Sequence, residues 1–142
     1  MKGRPTASVQ HQLDVRLLVP GNASVALAVT LTYDSVDPYA VHALFRTGHR
    51  DGVAWVFARD TLAAGVVQPS GEGDVRVWPA AAADGGEDVV HIALSSPDGQ
   101  ALLEAPASTL TDFLLRTYAV VPRGGETSHL DIDTALATLL SE

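Results

Sequence analysis

The sequence predicts an α+β fold: about seven mostly antiparallel strands in a twisted sheet or split barrel, a short helix after the fourth strand, and two helices at the C-terminal end. Three observations carry this expectation. Apolar and polar residues alternate through the first two-thirds of the chain, which is the period of half-buried strands. Clusters of proline, glycine and aspartate break the alternation at short intervals, as hairpins require. From about Pro106 the apolar spacing changes to that of a helix.

In the first run Val9, Leu13, Val15, Leu17 and Val19 take one face, and Gln10, Gln12, Asp14 and Arg16 take the other. Pro20-Gly-Asn22 breaks it. Val25, Leu27, Val29, Leu31 and Tyr33 begin a second run, with small Ala26, Ala28, Thr30 and Thr32 opposite, so the two runs read as an antiparallel pair. Asp34-Ser-Val-Asp-Pro38 is turn chemistry, because aspartates bond nearby amides and Pro38 drives Asp37 out of helical geometry. A third strand runs from Tyr39 to Arg46, and Arg50-Asp-Gly52 turns the chain into Val53-Ala-Trp-Val-Phe-Ala58. This fourth strand is apolar on both faces, so it is expected to be covered twice, by a helix and a second sheet or by another subunit.

Asp60 is placed to cap a short helical turn through Ala64, with Gly65 as its terminator. Residues 69–73 form a loop, Asp74 to Trp78 a fifth strand, and the Ala/Gly-rich stretch from Ala80 to Asp88 a hairpin tip expected to be mobile. Val89 to Leu94 and Ala101 to Glu104 read as the sixth and seventh strands, joined by a tight turn at Ser96-Pro-Asp-Gly99. Leu110, Phe113, Leu114, Tyr118 and Val121 then recur at helical spacing behind Pro106, whose missing amide costs nothing in a first turn. Pro122-Arg-Gly-Gly125 stops that helix. A last helix starts at Asp131 or Asp133 and puts Ile132, Leu136, Leu139 and Leu140 on one face, to be covered by the chain's own sheet or by a neighbouring subunit.

The 142 residues read as a single domain over positions 1–142, with residues 1–8 expected to be flexible ahead of the first strand. Hydrophobic residues make up 46% and charged residues 18%, a folded globule and not a disordered chain. The absence of cysteine excludes disulfides, thiolate chemistry and cysteine-ligated zinc, and suits a reducing cytoplasm. Gln10, His11 and Gln12 interrupt the chain where a signal peptide needs an apolar core. No run approaches the ~20 apolar residues that span a bilayer, so no direct membrane insertion is expected. The net charge is −8, and the nine basic residues are scattered from Lys2 to Arg123. Nucleic acid, whose binding draws on clustered cations, is therefore not an expected ligand.

Catalytic chemistry finds no setting. The five histidines stand at positions 11, 42, 49, 91 and 129. His42 and His91 fall within predicted strands, where a lone imidazole lacks the partners catalysis needs. His129-Leu-Asp131-Ile-Asp133 alternates imidazole and carboxylate, but it offers three local ligands only, and a helix start explains both aspartates. Ser95-Ser96 lacks the glycines of a nucleophile elbow, and Gly71-Glu-Gly73 leads into a strand where a nucleotide loop needs a helix. Neither an enzyme nor a cofactor nor a metal is expected. Protein contact is the remaining class, and Tyr39, Arg59, Asp60 and Trp78 are its candidate residues, since Tyr, Trp and Arg dominate the energetic centres of interfaces. Asp60 has a second reading as a helix cap. Arg59 has no local structural explanation. Trp55 and Phe57 read as core, Asp34 and Asp37 as turn formers.

Tyr33-Asp-Ser-Val-Asp-Pro-Tyr-Ala-Val41, Val53-Ala-Trp-Val-Phe-Ala-Arg-Asp60 and Gly73-Asp-Val-Arg-Val-Trp-Pro79 together resemble the SsgA/SsgB-like proteins of actinomycetes. The resemblance continues through His91-Ile-Ala-Leu-Ser-Ser-Pro-Asp-Gly99 and Leu103-Glu-Ala-Pro106 into Leu130-Asp-Ile-Asp-Thr134, over roughly positions 9 to 140, and is greatest for the SsgB-like branch. It implies a non-catalytic regulator of sporulation-specific cell division that positions the septum by recruiting the tubulin-like GTPase FtsZ, in concert with an SsgA-type paralogue. It also implies a bell-shaped homotrimer with a fold similar to trimeric Whirly-type single-stranded nucleic acid binding proteins. A trimer presents three copies of one weak site, and tethered sites raise avidity on a filament. The rival function, single-stranded nucleic acid binding, rests on the fold analogy alone.

Overall fold

The computed structural model describes residues 7–21, 23–47, 52–82 and 85–129. The first two alternating runs become β1 (Ser8–Val19) and β2 (Ala23–Asp34), paired antiparallel over their full length from Ser8 opposite Asp34 to Val19 opposite Ala23. β3 (Ala40–Arg46) and β4 (Val53–Ala58) continue the meander, and α1 (Arg59–Gly65) follows at once. β5 (Val75–Ala81), β6 (Asp88–Ser96) and β7 (Gly99–Pro106) form a second meander, then α2 (Ala107–Val120) and a 3-10 turn (Glu126–His129). All seven strands share one sheet in the order β4-β3-β2-β1-β7-β6-β5, curled into a half barrel. The two meanders join where Arg16, Leu17 and Leu18 of β1 pair with Glu104, Leu103 and Leu102 of β7.

Register decides which side chains meet, because alternate residues share a face. Val9, Tyr33, Val41 and Phe57 form one row across β1 to β4, and all four are buried. α2 packs against β1, β6 and β7 on this face and buries Leu110, Phe113, Leu114 and Thr117 there. Each apolar side chain so removed from water contributes roughly 1.5–3 kcal/mol. Cover thins toward the β1–β2 turn, where Leu17 and Leu27 are half-buried and Val25 is 49% exposed.

Several expectations need correction. β4 is an edge strand: Phe57 is buried and Trp55 half-buried, but Val56, Ala54 and Ala58 on the other face are exposed among the described residues. Of the two covers expected for this strand, the chain's own elements supply only one, and its other face is an open edge within the single chain. β5 runs on to Ala81, β6 begins at Asp88 and β7 reaches Pro106, so the hairpin tip is shorter than the composition suggested. β1 begins at Ser8, one residue before its apolar pattern, and Ser35 donates its amide to the Ala7 carbonyl at 2.8 Å. Pro106 is the N-cap residue of α2, one place before the first turn. The expected last helix, with Asp131 and Asp133, lies outside the described residues.

The helix α1 closes the split of the half barrel, touching β4 at one sheet edge and β5 at the other. Asp60 does not cap it. Ala58 holds the N-cap position without a side-chain bond, and Asp60 sits in the first turn, where its charge favours the helix dipole. Gly65 is not a left-handed terminator either, because Val66 continues in right-handed geometry. Glycine is needed there for a different reason: a Cβ at Gly65 would overlap Cγ1 of Val77. Gly65→Ala should therefore lower the unfolding free energy by about 1–3 kcal/mol, the usual cost of overpacking. A urea midpoint equal to that of the parent protein would show that α1 rides loosely on β5.

Candidate protein-interaction surface

A guanidinium taken out of water must recover hydrogen bonds and a counter-charge, or the fold loses several kcal/mol. Arg59, the first residue of α1, is 1% exposed. Its Nη1 donates to the carbonyls of Val121 at 2.8 Å and Thr117 at 3.2 Å, and its Nη2 donates to Oε2 of Glu126 at 2.9 Å. The charged carbon lies 4.8 Å from the ring centre of Tyr33 and 4.1 Å from that of Tyr118, within cation–π range of both. The last carbonyls of a helix have no partner within it, so Arg59 caps the end of α2 from a different part of the chain. Its Nε has no hydrogen bond among the described residues.

Glu126 completes the clamp. Its Oε1 accepts the Gly124 amide at 3.0 Å while Oε2 takes Arg59, so residues 122–126 are folded back beneath α2. Its own backbone amide first, and the Arg59 hydrogen bond second, hold the Glu126 carboxyl below the ordinary glutamate range against the opposing effect of burial. The Tyr33 hydroxyl donates to the Pro38 carbonyl at 2.8 Å, and burial pushes this phenol up to about 12, with Arg59 pulling the other way. Burial likewise raises Tyr118, whose hydroxyl accepts from Arg123 at 3.3 Å.

Tyr39 stands on this base. The Arg59 amide donates to the Tyr39 carbonyl at 2.8 Å, and the Tyr39 hydroxyl shares a 3.1 Å hydrogen bond with Thr127 Oγ1. The ring is 46% exposed, and Val36 on the same turn is 52% exposed. Asp37 pairs with His42 at 3.2 Å, and Asp60 is exposed at the adjoining start of α1. The turn itself is closed by Asp37 N–H on the Asp34 carbonyl at 2.9 Å. The result is a fixed aromatic and apolar step with a carboxylate rim.

Of the four candidate residues, Tyr39 and Asp60 fall together on this surface. Arg59 lies beneath it and is corrected: its guanidinium is buried against Glu126, two carbonyls and two rings and presents no surface to a partner. Trp78 is elsewhere, on β5 with four strands between it and β3. It is half-buried and stands edge-on to His91 at 5.7 Å, and His91 in turn lies 3.2 Å from Glu104. His42 and His91 are thus each hydrogen-bonded to a carboxylate within the fold. Sequence reasoning missed Val36, Glu126 and Thr127. The only pointer to Glu126 was an arginine lacking a local explanation. Among the described residues no group of three or more His, Asp or Glu side chains is placed to hold a metal ion, and no helix is long and apolar enough to cross a membrane.

The clamp predicts an acid-sensitive fold. A carboxyl held below its ordinary value stabilises the native state in full above about pH 4.3, and that contribution is lost as the pH falls through the depressed value. Glu126→Gln should cost about 3–5 kcal/mol at pH 7, because it strands a buried cation, and should flatten the acid limb of the stability curve. Urea melts of both proteins between pH 7 and pH 3 check this; parallel curves would remove Glu126 from the account.

Comparison with known proteins places this geometry. A family profile described as "Streptomyces sporulation and cell division protein, SsgA" matches residues 27–126. The sporulation-specific cell division protein SsgB of Streptomyces coelicolor is 53% identical over 135 residues, covering 95% of this chain and 97% of that protein. SsgB of Salinispora tropica is 50% identical over 140 residues, covering 97% and 96%. The crystal structure of an SsgA-like sporulation-specific cell division protein from Thermobifida fusca superposes with a TM-score of 0.83 at 43% identity, over 96% of this chain and 98% of that one. A structure reported under "Mutations in SsgB correlate to longitudinal cell division during sporulation of Streptomyces coelicolor" gives a TM-score of 0.84 at 52% identity, over 90% and 99%. With family, sequence and fold in agreement along nearly the whole chain, the protein belongs to the SsgA family of sporulation and cell division proteins.

Proposed function

We propose that this protein is a non-catalytic scaffold of sporulation-specific cell division, which recruits the tubulin-like GTPase FtsZ to the septum together with an SsgA-type paralogue. The observation that carries this reading is the near full-length likeness to proteins named sporulation-specific cell division protein SsgB. The surface at Tyr39 supports it, since an exposed aromatic on a rigid base loses little entropy on binding. A net charge of −8 speaks against nucleic acid as the ligand.

The active form is a homotrimer. Val25 and Val53, 49% and 42% exposed, continue the inward face of the half barrel beyond the half-buried Leu17, Leu27 and Trp55. Self-association is one way to cover such an apolar rim. Three tethered copies of the Tyr39 surface then engage a filament at once, and avidity multiplies a weak contact by orders of magnitude.

Sedimentation and co-sedimentation with FtsZ filaments test this together. The protein should run as a trimer and pellet with filaments. The double substitution Val25→Asp with Val53→Asp should give a folded monomer by circular dichroism whose filament binding falls by about a hundredfold, far more than the loss of one rim contact. Equal binding by monomer and trimer would contradict multivalency.

A further inference from the structure

We infer that the Tyr39 surface takes a partner segment pairing a bulky apolar side chain with a lysine or arginine. This rests on the reading above, that the surface at the β2–β3 turn is the contact face, and adds the chemistry of what it contacts. The apolar half of the requirement comes from Val36 and Tyr39, both exposed on a turn that four bonds fix: Asp37 N–H to the Asp34 carbonyl, Val36 N–H to Asp34 Oδ1, the Tyr33 hydroxyl to the Pro38 carbonyl, and Tyr39 to Thr127. A step held this firmly offers its area without the ordering cost that a loose loop would add.

The basic half comes from charge. Asp34, Asp37 and Asp60 lie on the turn and at the adjoining helix start, and among the described residues Arg59, Arg123 and His42 are already engaged. Arg59 is buried on Glu126, Arg123 lies on the Tyr118 ring at 5.0 Å with its Nη2 on the Tyr118 hydroxyl, and His42 is held by Asp37. Among the described residues neither Asp34 nor Asp60 has an ion pair. The whole chain carries a net charge of −8, so a basic segment is steered toward it and an acidic one is repelled. Apolar anchor and acidic rim together select a segment that has both features.

The test uses the intact protein and a short fluorescein-labelled peptide alternating leucine with lysine, against its leucine–glutamate counterpart, read by anisotropy at physiological salt. The lysine peptide should bind and the glutamate peptide should not. Tyr39→Ala, and separately Asp37→Asn with Asp60→Asn, should each weaken binding about tenfold or more, the loss of one interface anchor. Tyr39→Phe keeps the ring but loses the bond to Thr127, and should weaken binding less than Tyr39→Ala does. Neutralising distant carboxylates with Glu72→Gln and Asp98→Asn should change nothing. An equal loss with the distant pair, or no binding of the lysine peptide, overturns the inference. If Tyr39→Ala then still abolishes filament binding, the contact face survives and only its partner chemistry is wrong; if the parent protein ignores filaments, the functional reading itself fails.

Discussion

A single buried cation organises one end of this molecule. Arg59 leaves the last residue of β4 with its side chain committed inward, where it meets two carbonyls from the end of α2, a carboxylate from the returning chain, and the faces of two tyrosines. None of these groups is close to Arg59 in sequence, and Glu126 is 67 positions away. Isolated in a low-dielectric interior, the guanidinium would destabilise the fold by several kcal/mol, so the native state requires all of its partners at once. The sheet edge, the helix end and the returning segment are therefore set relative to one another by hydrogen-bond geometry, not by apolar contact alone, which has no direction. Tyr39 inherits that rigidity because its carbonyl is bound by the Arg59 amide.

The alternating pattern made the fold legible wherever a strand had one wet and one dry face. β1 was placed nearly to the residue because Gln10, Gln12, Asp14 and Arg16 stand opposite an apolar set that only His11 interrupts. β4 carried no such contrast. Its small alanines and Val56 looked like a second buried face, whereas an edge position leaves them open, and periodicity cannot tell one from the other. Gly65 was legible as special but for the wrong cause, since close approach to Val77 is a property of packing between elements and leaves no local mark.

The contact surface was half legible. Tyr39 and Asp60 could be chosen by residue type, and the strand pairing of Ala40 with Ala58 is what brings them together. Arg59 could not be resolved from the sequence, because an arginine that reads a partner and one that knits a core look alike until Glu126 appears beside it. The same interaction that removes Arg59 from the list of contact residues gives the neighbouring tyrosine its fixed stance. In a family whose relatives are named for cell division and not for any reaction, a stiff, acidic, aromatic step is a coherent thing for the fold to build.

The claim that the clamp is an energetic unit is tested most directly by a double-mutant cycle on Arg59 and Glu126, using Arg59→Met, Glu126→Gln and the pair, with unfolding free energies from urea at pH 7. The account predicts a coupling of about 2–3 kcal/mol, because each single change strands the other's charge and the double change does not. Additive losses, with coupling below about 0.5 kcal/mol, would mean that the two side chains stabilise the fold independently and would contradict it.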